Sequence, residues 1–161
     1  MSIVLDGTSG ITFPSGSGTQ AAQSKVLQVV QSTLGTQVNV TTTSFIDAGL
    51  SASITPLFST SKILVLVSLN SSGNTGTLNS FIQAQIVRNS TVLSAFGLAG
   101  NSYAASGNTV VGTLGVEYLD SPATTSSTTY KIQVNNFYGN GTAFFNAYQG
   151  LSTITLMEIA V

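Results

Sequence analysis

Residues 62–70, K-I-L-V-L-V-S-L-N, contain the longest unbroken apolar run of the chain, from Ile63 to Val67. Val and Ile are stiff at χ1 and fit a pleated strand better than a helix, and a Ser/Asn/Gly cluster closes the run at once. The segment therefore reads as a strand with both faces covered. A strand of that kind needs a second layer of structure, which sets the architecture sought in the rest of the chain.

Period-2 alternation fills most of what remains. Residues 25–31 are strand-like; Val38 and Val40 share a face in 36–40, as do Leu50, Ala52 and Ile54 in 50–54, with Asp47-Ala48-Gly49 reading as a turn and Pro56 as a strand end. Residues 81–88 align Ile82, Ala84 and Ile86, and Asn89-Ser90 reads as a tight turn into 91–96. A long strand spans 109–119, with Gly112 and Gly115 inside it as candidate bulge or close-contact sites. Residues 129–137 set Tyr130, Ile132 and Val134 against Lys131, Gln133 and Asn135. Gly139-Asn140-Gly141 reads as a hairpin turn into 142–149, and 152–161 closes the chain on M-E-I-A-V. Residues 71–76 and 97–108 read as loops, and no helix of ordinary length is expected. This spacing predicts an all-β fold, an antiparallel β-sandwich of jelly-roll type over 23–161, preceded by a short extended segment, 1–22, that packs on neighbouring chains.

At 161 residues the chain fits one domain with a sizeable core, yet only 6% of its residues are charged, against roughly 25% in an ordinary soluble domain. Its surface must be Ser, Thr, Asn and Gln, which suits a neutral, inert exterior, an oligomer that hides much of its area, or both. Four basic residues cannot neutralise a phosphate backbone, so nucleic acid is excluded as a partner. No apolar run reaches the roughly 20 residues of a spanning helix, so no membrane insertion is expected, and the first residues carry no secretory-signal pattern.

The absence of His and Cys excludes imidazole triads, thiol nucleophiles and ordinary zinc sites. Of the five carboxylates, Glu117 and Asp120 are the near pair, but three positions apart on a strand they point to different sides; no catalytic residue, metal or cofactor is expected. Glu158 alternates with Ile154, Leu156 and Ala160 on a face that should be buried, so it needs a partner: Arg88 first, Lys25 second, in a structural salt bridge. Loop residues Asn74, Asn79, Asn101, Tyr103 and Asn108 are candidates for receptor binding, the amides for sugar hydroxyls and Tyr103 for a flat apolar contact.

The segment 10–20, G-I-T-F-P-S-G-S-G-T-Q, resembles a motif frequent in phage tail fibre and related virion proteins, with Ser15 in place of an Asp and an extra Ser17-Gly18 pair. K-V-L-Q-V-V-Q at Lys25, T-S-F-I-D-A-G-L-S-A-S-I-T-P at Thr43, S-K-I-L-V-L-V-S at Ser61 and I-T-L-M-E-I-A at Ile154 are similar to C-terminal domains of phage tail fibres, including those of cyanobacterial phages. The resemblance implies a structural virion protein: a homotrimer located at the tail or another external position. Its N-terminal segment would bind other virion proteins, and its loops would face a host-surface glycan. A head or collar decoration protein is the alternative within the virion, and a glycan-degrading enzyme is disfavoured by the carboxylates.

Overall fold

The structure, a computed structural model, describes residues 4–6, 10–12, 25–75, 80–101 and 109–161. Two short strands, β1 (Val4–Asp6) and β2 (Gly10–Thr12), pair antiparallel with each other. The sandwich is built from β3 (Val26–Leu34), β4 (Val38–Val40), β5 (Ile46–Ile54), β6 (Lys62–Thr75), β7 (Ser80–Arg88), β8 (Thr91–Asn101), β9 (Thr109–Asp120), β10 (Thr128–Asn136), β11 (Thr142–Phe145) and β12 (Ser152–Ile159).

One sheet runs β3-β12-β6-β9 and the other β5-β10-β7-β8, all antiparallel. Counting β3, β5, β6, β7, β8, β9, β10 and β12 as first to eighth, the sheets read 1-8-3-6 and 2-7-4-5, the strand order of a jelly roll with its two interlocked Greek keys. The two short strands β11 and β4 extend the first sheet: β6 is long enough to pair with β12 over its first half and with β11 at its end, while β9 lines its other edge.

Alternation decides what lies between the sheets. Ile63, Val65, Val67 and Leu69 of β6 join Ile154 and Leu156 of β12 and meet Leu50, Ile54, Ile82, Ile86, Tyr130, Ile132 and Val134 of the second sheet, all buried. Each such side chain contributes about 1.5–3 kcal/mol by leaving water.

Several local expectations change. Among the described residues the 62–70 strand is closed on one face only, since none of them forms a third layer over the first sheet; Leu64 and Leu66 on the other face are half-buried. Asp47-Ala48-Gly49 is not a turn but a bulge inside β5, with Gly49 at φ +79° where the register against Lys131 and Gln133 shifts. Residues 71–75 continue β6 instead of looping out, and β8 runs on to Asn101, because neighbouring strands meet their backbone groups. Gly139-Asn140-Gly141 joins strands of different sheets, so it is an arch and not a hairpin; positive φ at Gly139 and Gly141 serves either geometry. Asn89, at φ 52°, does make the β7–β8 hairpin turn.

Candidate functional site

Two of the predicted receptor residues, Asn74 and Asn101, lie at one end of the sandwich, where β6 ends, β7 begins, β8 ends and β9 begins. Asn74 sits on β6 opposite Val110 and Ala143, and Asn101 on β8 opposite Ser80. Asn79, Tyr103 and Asn108 lie outside the described residues.

At the other end, the acids take partners that differ from those expected. Glu158 is fully buried, as alternation requires, but neither Arg88 nor Lys25 pairs with it. Its carboxylate accepts hydrogen bonds from Gln28 Nε2 at 2.6 Å and from the backbone N–H groups of Leu57 at 2.8 Å and Phe58 at 3.4 Å. Burial pushes its pKa up. The Gln28 amide, the nearby Ser61 hydroxyl and the two backbone donors outweigh that and hold it below the ordinary 4.5, although Ser61 Oγ itself reaches hydrogen-bond geometry with no partner. Gln28 also donates to the Thr55 carbonyl, so the cluster pins the 55–61 loop to the sheet without a cation. Lys25 is exposed, and among the described residues its backbone carbonyl alone is engaged, by the Ala160 N–H.

Arg88 instead meets Asp120. Nη1 lies 2.9 and 2.8 Å from the two carboxylate oxygens, and Tyr130 donates its hydroxyl to Oδ2 at 2.7 Å. Asp120 belongs to the first sheet and its two partners to the second, so the triad clamps the sandwich. Burial and the adjoining carboxylate push the Tyr130 phenol far above its usual range, so it remains a donor. Glu117 and Asp120 are on opposite faces of β9, Glu117 exposed and Asp120 buried. Among the described residues no group of three or more acids is placed to hold a metal ion.

The surfaces that the sequence reading missed are the two outer faces, and they differ in kind. On the first sheet, the pairing Val29–Met157–Leu64–Leu119 lays an apolar row across four strands, with Val29 55% and Leu119 51% exposed. Beside it, where Gly115 provides no side chain, lies a shallow depression of about 560 Å³ bordered by Leu66, Ser68, Glu117, Thr153 and Thr155. The signal for this face was present in the opening run, whose apolar residues occupy both parities of the strand.

The outer face of the second sheet is a ladder of amides. Gln85 donates to Gln133 at 2.8 Å, and Gln133 to Asp47 at 2.7 Å, where Lys131 also reaches at 2.9 Å. The Lys131 and Gln133 bonds hold the Asp47 carboxyl below its usual range. Where the ladder approaches the loop end, three aromatic rings gather: Tyr138 packs 5.6 Å from Phe81 and meets Phe137 edge-on at 4.8 Å and 88°.

No family model and no curated protein matches the chain. Among solved structures it is similar to a chain of the infectious bursal disease virus Gx strain, at 14% identity and a TM-score of 0.39, covering 83% of this chain and 34% of that one. It is also similar to the VP2 subviral particle of infectious bursal disease virus, at 12% identity and a TM-score of 0.37, covering 84% and 38%. The chain thus spans little more than a third of the structures it matches. A likeness of this degree assigns neither fold nor function, and the jelly roll stands on its own strand order.

Proposed function

We propose that the chain is a structural component of a virion, a short tail fibre or fibre-tip protein that assembles as a homotrimer. The observation that carries this reading is the apolar row Val29–Met157–Leu64–Leu119 on the outer face of the first sheet. That face holds two charged side chains, Lys62 and Glu117, of opposite sign, and a chain with 6% charged residues has little other means of keeping such a surface soluble. Four strands spaced ~4.8 Å apart and about eight residues long, at ~3.4 Å each, offer on the order of 500 Å² per subunit. Three such faces closed around one axis bury on the order of 1,500 Å² in all, the scale of a specific assembly.

The segment 1–22 is read as the attachment to other virion proteins, on the resemblance of residues 10–20 to the tail fibre motif. The end of the sandwich that carries Asn74 and Asn101 then faces the host. A head or collar decoration protein would share the assembly face and differ in position on the particle. No catalytic role is proposed.

Light scattering on the size-fractionated full chain tests the assembly. A mass three times the 16.5 kDa of the subunit is expected, falling to one subunit in Leu64→Asp and Met157→Asp, both on an outer face where the fold tolerates a charge. A monomeric parent protein would overturn the reading. Antibody labelling of intact particles separates tail from head.

A further inference from the structure

We infer that the aromatic corner of Phe81, Phe137 and Tyr138, together with the amides of Gln83 and Asn135, is a binding site for an uncharged hexose-containing oligosaccharide. This deepens the host-attachment reading by naming a site and a ligand class, and rests on it only for where such a glycan is met.

The corner is built by the ladder. Phe81 and Phe137 stand opposite each other because the β7–β10 pairing continues one rung past Asn136, through a Phe137 N–H to Phe81 carbonyl bond of 2.8 Å. The chain then turns at Gly139, at φ +73°, whose N–H is held by the carbonyl and the side-chain oxygen of Asn136 at 3.1 and 3.2 Å. That turn folds Tyr138 back onto both phenylalanines. The rings are thereby fixed before any ligand arrives, which removes much of the ordering cost of binding.

Rings held in this way normally face a core, yet Phe137 is 42% and Tyr138 53% exposed. They present two apolar surfaces at right angles. One rung along the same face are Asn135 and Gln83, opposite each other in the register. Two residues along a strand is roughly 6.8 Å, so a group lying against Phe137 is within reach of the half-buried Gln83 amide, with Asn135 just beneath it. Asn135 gives its Nδ2 to the Thr43 carbonyl at 2.9 Å, while its buried Oδ1 has no partner. Gln83 makes no side-chain hydrogen bond among the described residues. A pyranose, with an apolar C–H face and a rim of hydroxyl groups, matches flat rings bordered by the Gln83 amide and by an Asn135 carbonyl oxygen that lacks a donor.

The charge pattern selects an uncharged sugar. The charged groups on this face, Asp47 and Lys131, lie further along the ladder and neutralise each other at 2.9 Å. A second protein is the poorer occupant: three rings fall far short of the roughly 1,000 Å² of a specific protein interface, and they lie on the sheet opposite the apolar assembly row.

The test applies the full-length protein to an array of neutral and sialylated oligosaccharides, then titrates ¹⁵N-labelled protein with the neutral trisaccharide retained most strongly. Neutral glycans should be retained, and the side-chain amides of Gln83 and Asn135 should shift. Tyr138→Ala should weaken binding by about tenfold or more, and Tyr138→Phe, which keeps the ring, should stay close to the parent. Retention of sialylated glycans alone, no retention at all, or binding unchanged in folded Tyr138→Ala and Phe137→Ala would each overturn the proposal. A trimer that ignores glycans removes this site and leaves the assembly reading intact. A monomer that binds them through Tyr138 keeps the site and removes the assembly reading.

Discussion

Tyr130 and Asp120 face each other across the interior of the sandwich, the phenol of one sheet donating to the carboxylate of the other at 2.7 Å, with Arg88 completing the clamp. A carboxylate with so little exposure is tolerable only while its oxygens are met. Arg88→Met should therefore cost about 3 kcal/mol, the low end for a broken buried pair, since a quarter of the Arg88 side chain remains in water. Tyr130→Phe leaves the ion pair and removes one charge-assisted bond, for about 1.5 kcal/mol. Urea denaturation of the two variants and of the double variant gives the coupling. Equal, purely additive losses would show that the three groups do not act together.

Glu158 supplies a different kind of linkage. Its folded-state pKa is depressed, so its contribution to stability is fully present above the unfolded value of about 4.5 and is lost as pH falls through the folded pKa. Thermal midpoints measured from about pH 6 down to pH 2 should fall in the parent with a component absent from Glu158→Gln. At neutral pH that variant should be less stable by about 1–3 kcal/mol, because its new amide hydrogens must face donors from Gln28, Leu57 or Phe58. Parallel pH curves for the two proteins would rule out the carboxylate as the pin of the 55–61 loop.

The alternation of Val38 with Val40 and of Tyr130, Ile132 and Val134 made the strands and their inward faces legible, because burial between two sheets selects one parity. The long run at 62–70 located the central strand of the first sheet. Two kinds of feature stayed hidden. Ser71 to Thr75 have the composition of a loop, yet β9 and β11 meet the backbone of Gly73 to Thr75 from both sides, and tertiary pairing overrides propensity. Glu158 was legible as buried, but its donors include two backbone N–H groups, which every sequence offers everywhere and none marks. Phe81 and Phe137 come together only through strand register, so neither aromatic stands out along the chain.

Gly97 is a place where backbone and packing agree. It has φ +62°, and a Cβ there would sit 2.6 Å from Leu114 Cδ2. Gly97→Ala is expected to lose about 1–2 kcal/mol from the left-handed backbone alone, and more from the clash. Adding Leu114→Ala should not restore the parent stability, because it relieves the contact, opens a cavity and leaves the backbone term. Denaturation midpoints of the single and double variants check this. Full recovery in the double variant would mean that the backbone conformation carries no cost.

Asn136 holds the arch that leads from β10 in one sheet to β11 in the other. Fully buried, it donates through Nδ2 to the carbonyls of Asn140 at 3.0 Å and Gly141 at 3.2 Å, and accepts from the Gly139 N–H at 3.2 Å. Asp in its place keeps the acceptor and turns the donor into a second oxygen facing two carbonyls, whereas Ala removes both. Asn136→Asp should therefore be at least as harmful as Asn136→Ala at neutral pH, each by about 2–3 kcal/mol, and Asn136→Asp should recover partly in acid as the carboxyl gains a proton to donate. The same turn positions Tyr138 over Phe81 and Phe137, so either variant should also loosen the ring cluster. Aromatic proton spectra would show that as a collapse of ring-shifted resonances toward unfolded values. Unchanged ring shifts in a destabilised but folded Asn136→Ala would separate the arch from the aromatic corner and place the ordering of the rings in their mutual packing.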